Sequence, residues 1–278
     1  MADHRISRTT LAAILVATTA ALVARSWLQI ELVQEGMQQI LAEDVSYLVV
    51  PPILLLLLFP LWRSEKAFLK IQFRRQALTW RIAVTALTIG ILMRLMWWSQ
   101  LIAGVSFGMY MSADPDAVVG PAVSFRCASS AVVFLGFFVM ALLVPLIEEV
   151  THRAYIQTAL RPRGAAVAIL VSAAIFAIFH VPTSWPFAFF AGLVFGVQYW
   201  STRSLWPSLI SHATVNGLLQ IDWRCLSATW NPRAETIPLL GPGLVSMIIF
   251  VTCAVVLIYL LLKIATEARA IRPGSQGL

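Results

Sequence analysis

Two adjacent glutamates, Glu148 and Glu149, sit in an apolar run, with His152 and Arg153 immediately downstream. Further along, FAIFH sets Phe176 and His180 four residues apart, and HATVN does the same for His212 and Asn216. Carboxylate, imidazole and carboxamide are the groups that amide hydrolysis requires. A carboxylate in a low-dielectric site is a stronger base than in water. An imidazole can hold and polarise the attacking water, and paired donors can stabilise an oxyanion. Glu148, His180, His212 and Asn216 are therefore the candidate catalytic set, with Glu148 as base and His212 and Asn216 as oxyanion donors.

Spacing separates the two glutamates. Glu149 and Arg153 lie four apart, share a helix face and can pair, which makes them orienting or clasping residues. Glu148 is turned by about 100° from that face and has His152, not a permanent cation, one turn away. Phe176 reads as packing around the site. A charged group at a helix centre in the membrane costs ~2.5–3.5 kcal/mol on insertion scales, so such groups persist for a partner, a cavity or chemistry.

The same residues admit a metal. Glu148, His152, His180 and His212 make a Glu plus three-His set that zinc would accept, with bound hydroxide as the nucleophile. The metal-free reading is preferred, because Asn216 is a poor zinc ligand and a good oxyanion donor.

The surroundings of these groups follow from composition. Of 278 residues, 59% are hydrophobic and 12% charged, and mean hydropathy is +0.82. Those values exclude a soluble globular chain and a disordered one. The net charge of +7 fits cationic loops against an anionic membrane face rather than nucleic acid. Cys127, Cys225 and Cys253 make no paired framework and read as apolar fillers.

An all-α, polytopic membrane helical bundle is expected, with about eight transmembrane helices: 9–30, 45–62, 82–105, 123–160, 165–181, 186–200, 205–221 and 240–263. The fourth would reach roughly 57 Å as one straight helix, against a hydrocarbon core of about 30 Å, so Pro145 is expected to kink it. Spans five to seven are short, which implies a compact bundle or a thinned bilayer. An amphipathic interfacial helix is expected over 64–80. Residues 1–122 form an N-terminal transmembrane region, 123–221 a catalytic core, and 222–278 an outer loop, last span and tail. The small residues Ala21–Ala24 resemble a cleavage site, but an uncleaved first span suits the charge count better.

The positive-inside rule places both termini in the cytoplasm. The basic loops 63–81 and 161–163, with Arg203, then fall inside, while the acidic stretch 28–44 and the loops with Asp114, Asp116 and 221–239 fall outside. Counted from the cytoplasmic ends, Glu148 lies roughly 18 Å deep, His180 22 Å, His212 10 Å and Asn216 16 Å, so one convergent site is allowed. The outer loop directly after His180 directs that site to the non-cytoplasmic side. Arg94 matches the depth of Glu148 and reads as a counter-ion; Trp97 and Trp98 read as interfacial anchors.

EEVTHR, FAIFH and HATVN resemble, in order and spacing, the motifs EExxxR, FxxxH and HxxxN of the CPBP (Abi, CAAX-protease-like) intramembrane endopeptidases. The resemblance covers about residues 140–220. It implies a glutamate-type protease of the inner (plasma) membrane of a bacterium, acting on a membrane-embedded or membrane-anchored protein, with the roles already given to Glu148, Glu149, Arg153, His180, His212 and Asn216. Many members carry EExxFRG, where this chain has His152 and Ala154. A non-proteolytic immunity or scaffold protein of the same fold is the alternative, and a proton-coupled transporter a weaker one, because no inverted repeat is visible.

Overall fold

The computed structural model describes residues 6–74, 78–111, 129–220 and 241–270. The expected outer loops with Asp114 and Asp116 and over 221–239, and Cys127 and Cys225, lie outside them. Among the described residues there is no strand. The helices are α1 (Arg8–Gln34), α2 (Gln39–Tyr47), α3 (Val50–Ser64), α4 (Lys66–Gln72), α5 (Trp80–Met111), α6 (Ser130–Arg163), α7 (Ala165–Ile178), α8 (Trp185–Thr202), α9 (Leu205–Leu219) and α10 (Gly241–Ala270). The chain is a helical membrane bundle.

Each of the eight expected spans contains a helix where described, the second broken by a turn at Leu48 and Val49 and the fifth ending at Ile178. Five of them meet the length and apolarity needed to cross: Arg8–Gln34, Leu41–Ser64, Trp80–Gly104, Ser130–Arg163 and Gly243–Ala270. The other three, α7 to α9, have 14, 18 and 15 residues. At about 1.5 Å per residue they are shorter than a 30 Å core; His212 lies in α9 and His180 directly after α7.

Local chemistry sets the element ends. Ser7 caps α1, its hydroxyl accepting from the Thr10 amide at 3.0 Å. Gly164, at φ 92°, turns the chain from α6 into α7 in a conformation that side chains disfavour.

The long α6 is not a plain α-helix. Residues Phe137–Leu143 and Val150–Gln157 are π-helical, and they bracket the α-helical Val144–Glu149 that holds Pro145 and both glutamates. The helix therefore runs on through Pro145. The Val144 amide donates to the Val139 carbonyl five residues back, so the next donor in that register, at Pro145, is missing.

Two cores flank the middle of α6. In one, Ile14, Ala17 and Ala21 of α1 and Val50, Leu54 and Leu58 of α3 pack with Phe68, Tyr155, Tyr199 and Leu205. In the other, Ile89 and Met93 of α5 pack with Phe176, Phe195, Val215 and the α10 residues Leu257 and Ile264. Cys253 is buried and free.

Among the described residues, the helix expected over 64–80 runs over Lys66–Gln72, and two of its side chains pack on protein. Phe68 and Gln72 are buried, the Tyr199 hydroxyl donates to Gln72 at 2.6 Å, and the Trp206 indole donates to the Phe73 carbonyl at 2.9 Å. An amphipathic pattern identifies an apolar face without saying whether lipid or protein covers it. The acidic stretch 28–44 is largely helical and turns at 35–38. Glu31 lies in α1, Glu43 and Asp44 lie in α2, Asp44 is buried, and Glu43 accepts from Arg25 at 3.2 Å.

Candidate active site

The α-helical Val144–Glu149 turn of α6 faces α9, and the side chains there form a line. His212 on α9 lies between both glutamates: its Nδ1 is 3.1 Å from Glu149 Oε1 and its Nε2 3.5 Å from Glu148 Oε2. Glu149 is closed off from solvent and reaches Arg153 Nε at 3.4 Å, as the four-residue spacing predicts. Glu148 retains 20% side-chain exposure. One carboxylate is thus locked into a buried network and the other opens toward a cavity.

The network extends behind Glu149. Arg153 donates to the Ser172 hydroxyl at 3.0 Å, and Ser172 donates to the His152 carbonyl at 2.9 Å. The guanidinium also lies over the Phe176 ring, 5.2 Å from its centroid, and Phe195 stacks on the His212 ring at 4.6 Å. Sequence reasoning missed Ser172 and Phe195. Ser172 had a signal, as the lone hydroxyl in the otherwise apolar AAVAILVSAAIFAI; Phe195 had none among the chain's 15 phenylalanines.

His180 follows α7 directly, and its Nδ1 contacts the Phe176 carbonyl at 2.9 Å. A carbonyl only accepts, so Nδ1 carries a proton, which in the neutral tautomer leaves Nε2 as the acceptor. Phe176 is the common wall, with ring centroids 4.7 Å from His180, 5.1 Å from His152 and 5.7 Å from His212.

Asn216, one turn after His212, donates to the Met140 carbonyl at 2.9 Å. In the π register of Phe137–Leu143, that carbonyl would be served by residue 145, which is proline. The carboxamide supplies the missing donor and keeps a second N–H. Arg94 donates to the Leu218 carbonyl at 3.2 Å, at the α9 C-terminus, where a cation is favourable. Trp97, one turn on, packs its half-buried ring on Phe187, centroids 4.6 Å apart.

Among the described residues no three His, Cys, Asp or Glu side chains are grouped to hold a metal, and His152 stands edge-on to Phe176 and Phe179.

Residues 130–218 match the model of the family described as type II CAAX prenyl endopeptidase Rce1-like. The match is to a CPBP protease family. It opens at the start of α6, closes in the last turn of α9 and takes in every residue of the site. Helices α1 to α5 and α10 lie outside it. No curated protein and no solved structure matches the chain. The Rce1-like segment is thus the part of the bundle with the π-helical breaks and the buried network.

Proposed function

We propose that this membrane protein is an intramembrane endopeptidase that cuts a membrane-embedded or membrane-anchored protein with a water activated by Glu148. The observation that carries the reading is the division of labour between the glutamates: Glu149 is buried and bound by Arg153 and His212, while Glu148 faces a cavity within 3.5 Å of His212.

Glu148 takes a proton from a water that the bare Nε2 of His180 also holds. The oxygen attacks the scissile carbonyl, and the negative charge moves to the carbonyl oxygen. His212, oriented by Glu149 through Nδ1, donates from Nε2 in its imidazolium form, and Asn216 gives its second N–H. Collapse of the tetrahedral intermediate breaks the C–N bond, and Glu148 returns its proton to the leaving amine. Water reaches Glu148 through a polar cavity, since lipid supplies none.

This chemistry uses no cofactor. Elemental analysis of active protein is expected to find no stoichiometric zinc, whereas zinc whose chelation stops cleavage would make His152 a ligand. With both termini cytoplasmic in a bacterial plasma membrane, as the charge map reads, the site opens to the non-cytoplasmic side. A substrate cut near its outer membrane boundary is then favoured over a cytosolic prenylated tail.

Comparative membrane proteomics of cells with the wild type or Glu148→Gln tests the proposal. A protein that accumulates uncut in the variant is expected. Identical membrane proteomes at equal abundance of the two forms would favour a non-proteolytic scaffold.

A further inference from the structure

Glu148 lines a cavity whose other walls come partly from helices outside the Rce1-like segment: Thr18 and Leu22 of α1, Tyr47 of α2 and Val50 of α3, opposite His152 and Phe179. Its enclosed depth is about 20 Å³, room for one water-sized polar group such as the hydroxyl or amide tip of a side chain that enters through the open mouth.

Its walls are mostly apolar, yet besides Glu148 Oε2 two buried polar atoms of its lining residues lack a hydrogen-bond partner among the described residues, Thr18 Oγ1 and His152 Nδ1. Both residues are more than nine-tenths buried, at 6% and 2% exposure. A helical threonine ordinarily satisfies its hydroxyl on the carbonyl one turn back; Thr18 does not. The edges of Phe176 and Phe179 fix the His152 ring. Buried polar groups left without partners are costly, so a pair of them beside the base implies a ligand that completes them.

We propose that Thr18 and His152 form a specificity subsite for a neutral hydrogen-bonding side chain, of the Ser, Thr, Asn or Gln class, next to the scissile bond. The inference rests on Glu148 being the base. An acidic side chain would be repelled by Glu148, a lysine would pair with Glu148 and remove the base, and an apolar one would leave both polar atoms unsatisfied. Sites built to hydrogen-bond a substrate group discriminate strongly against analogues that lack it.

The probe is an apolar membrane-spanning peptide between a fluorophore and a quencher. The residues flanking its scissile bond are varied one at a time through Asn, Ser, Leu, Lys and Asp. The full chain in detergent micelles is expected to cut the best Asn or Ser peptide about 10- to 100-fold faster in kcat/KM than the Leu peptide. Thr18→Val and His152→Phe should each narrow that preference, mainly through KM, while Thr18→Ser retains it. A wild type indifferent to these residues, or a preference that survives both Thr18→Val and His152→Phe, would overturn the subsite. Failure of the catalytic reading would appear separately, as Glu148→Gln cutting every peptide at the wild-type rate.

Discussion

Asn216 donates its side-chain amide to the Met140 carbonyl at 2.9 Å, in the position where Pro145 cannot donate. One residue thereby closes the backbone of α6 next to the glutamates and holds a second N–H for the oxyanion. The two duties are separable. Asn216→Ala is expected to lower stability by about 1–3 kcal/mol and cleavage by about 100- to 1000-fold. Adding Pro145→Ala restores a backbone donor, so the double variant should regain melting temperature and not activity. Recovery of both, or of neither, in paired melting and cleavage measurements would contradict this division.

Arg153 is fully buried between Glu149 and Ser172. Arg153→Ala leaves a bare carboxylate and should cost about 3–5 kcal/mol, seen as loss of protein from the membrane. Pairing it with Glu149→Gln should be milder than the single change, because the uncompensated charge is gone. Full abundance and an unchanged melting curve for Arg153→Ala would argue that the pair is not a clasp.

Gly90 sets the approach of α5 to α9. A Cβ there would stand 2.6 Å from both the Ser211 carbonyl oxygen and the Thr214 Cβ, either side of His212. Gly90→Ala should push α9 away from its seat, costing about 1–3 kcal/mol and misaligning His212. The check is melting temperature together with cleavage rate; a fully active, equally stable Gly90→Ala would show that α9 has slack.

Much of this was legible in the sequence because apolar runs and four-residue spacings are direct consequences of helix geometry. The pairing of Glu149 with Arg153 and the assembly of α6, α7 and α9 around polar side chains follow from them. What was not legible depends on long-range partners. Segment 64–80 has an interfacial pattern, yet Phe68 and Gln72 are covered by α6 and α8 residues. Pro145 was expected to interrupt α6; the π-helical turns beside it and the carboxamide from α9 that serves the Met140 carbonyl depend on long-range packing. The Arg25–Glu43 pair joins residues from two helices, and no local pattern announces it.

Membrane orientation is accessible to labelling. In a background lacking Cys127, Cys225 and Cys253, single cysteines at Ser184 and Gly164 flank α7 at its two ends. An impermeant thiol reagent on intact cells is expected to label position 184 and not 164. The reverse pattern would turn the site toward the cytosol and restore a prenylated tail as substrate.

The most direct measurement compares purified wild type and Glu148→Gln on the quenched membrane peptide, with melting curves for both. Among the described residues Glu148 joins no buried network beyond its 3.5 Å contact with His212, so the variant should fold normally. Its cleavage rate should fall by about 100- to 10,000-fold, the range general-base catalysis supplies. Near-wild-type cleavage by folded Glu148→Gln would remove Glu148 as the base and with it the proposed mechanism.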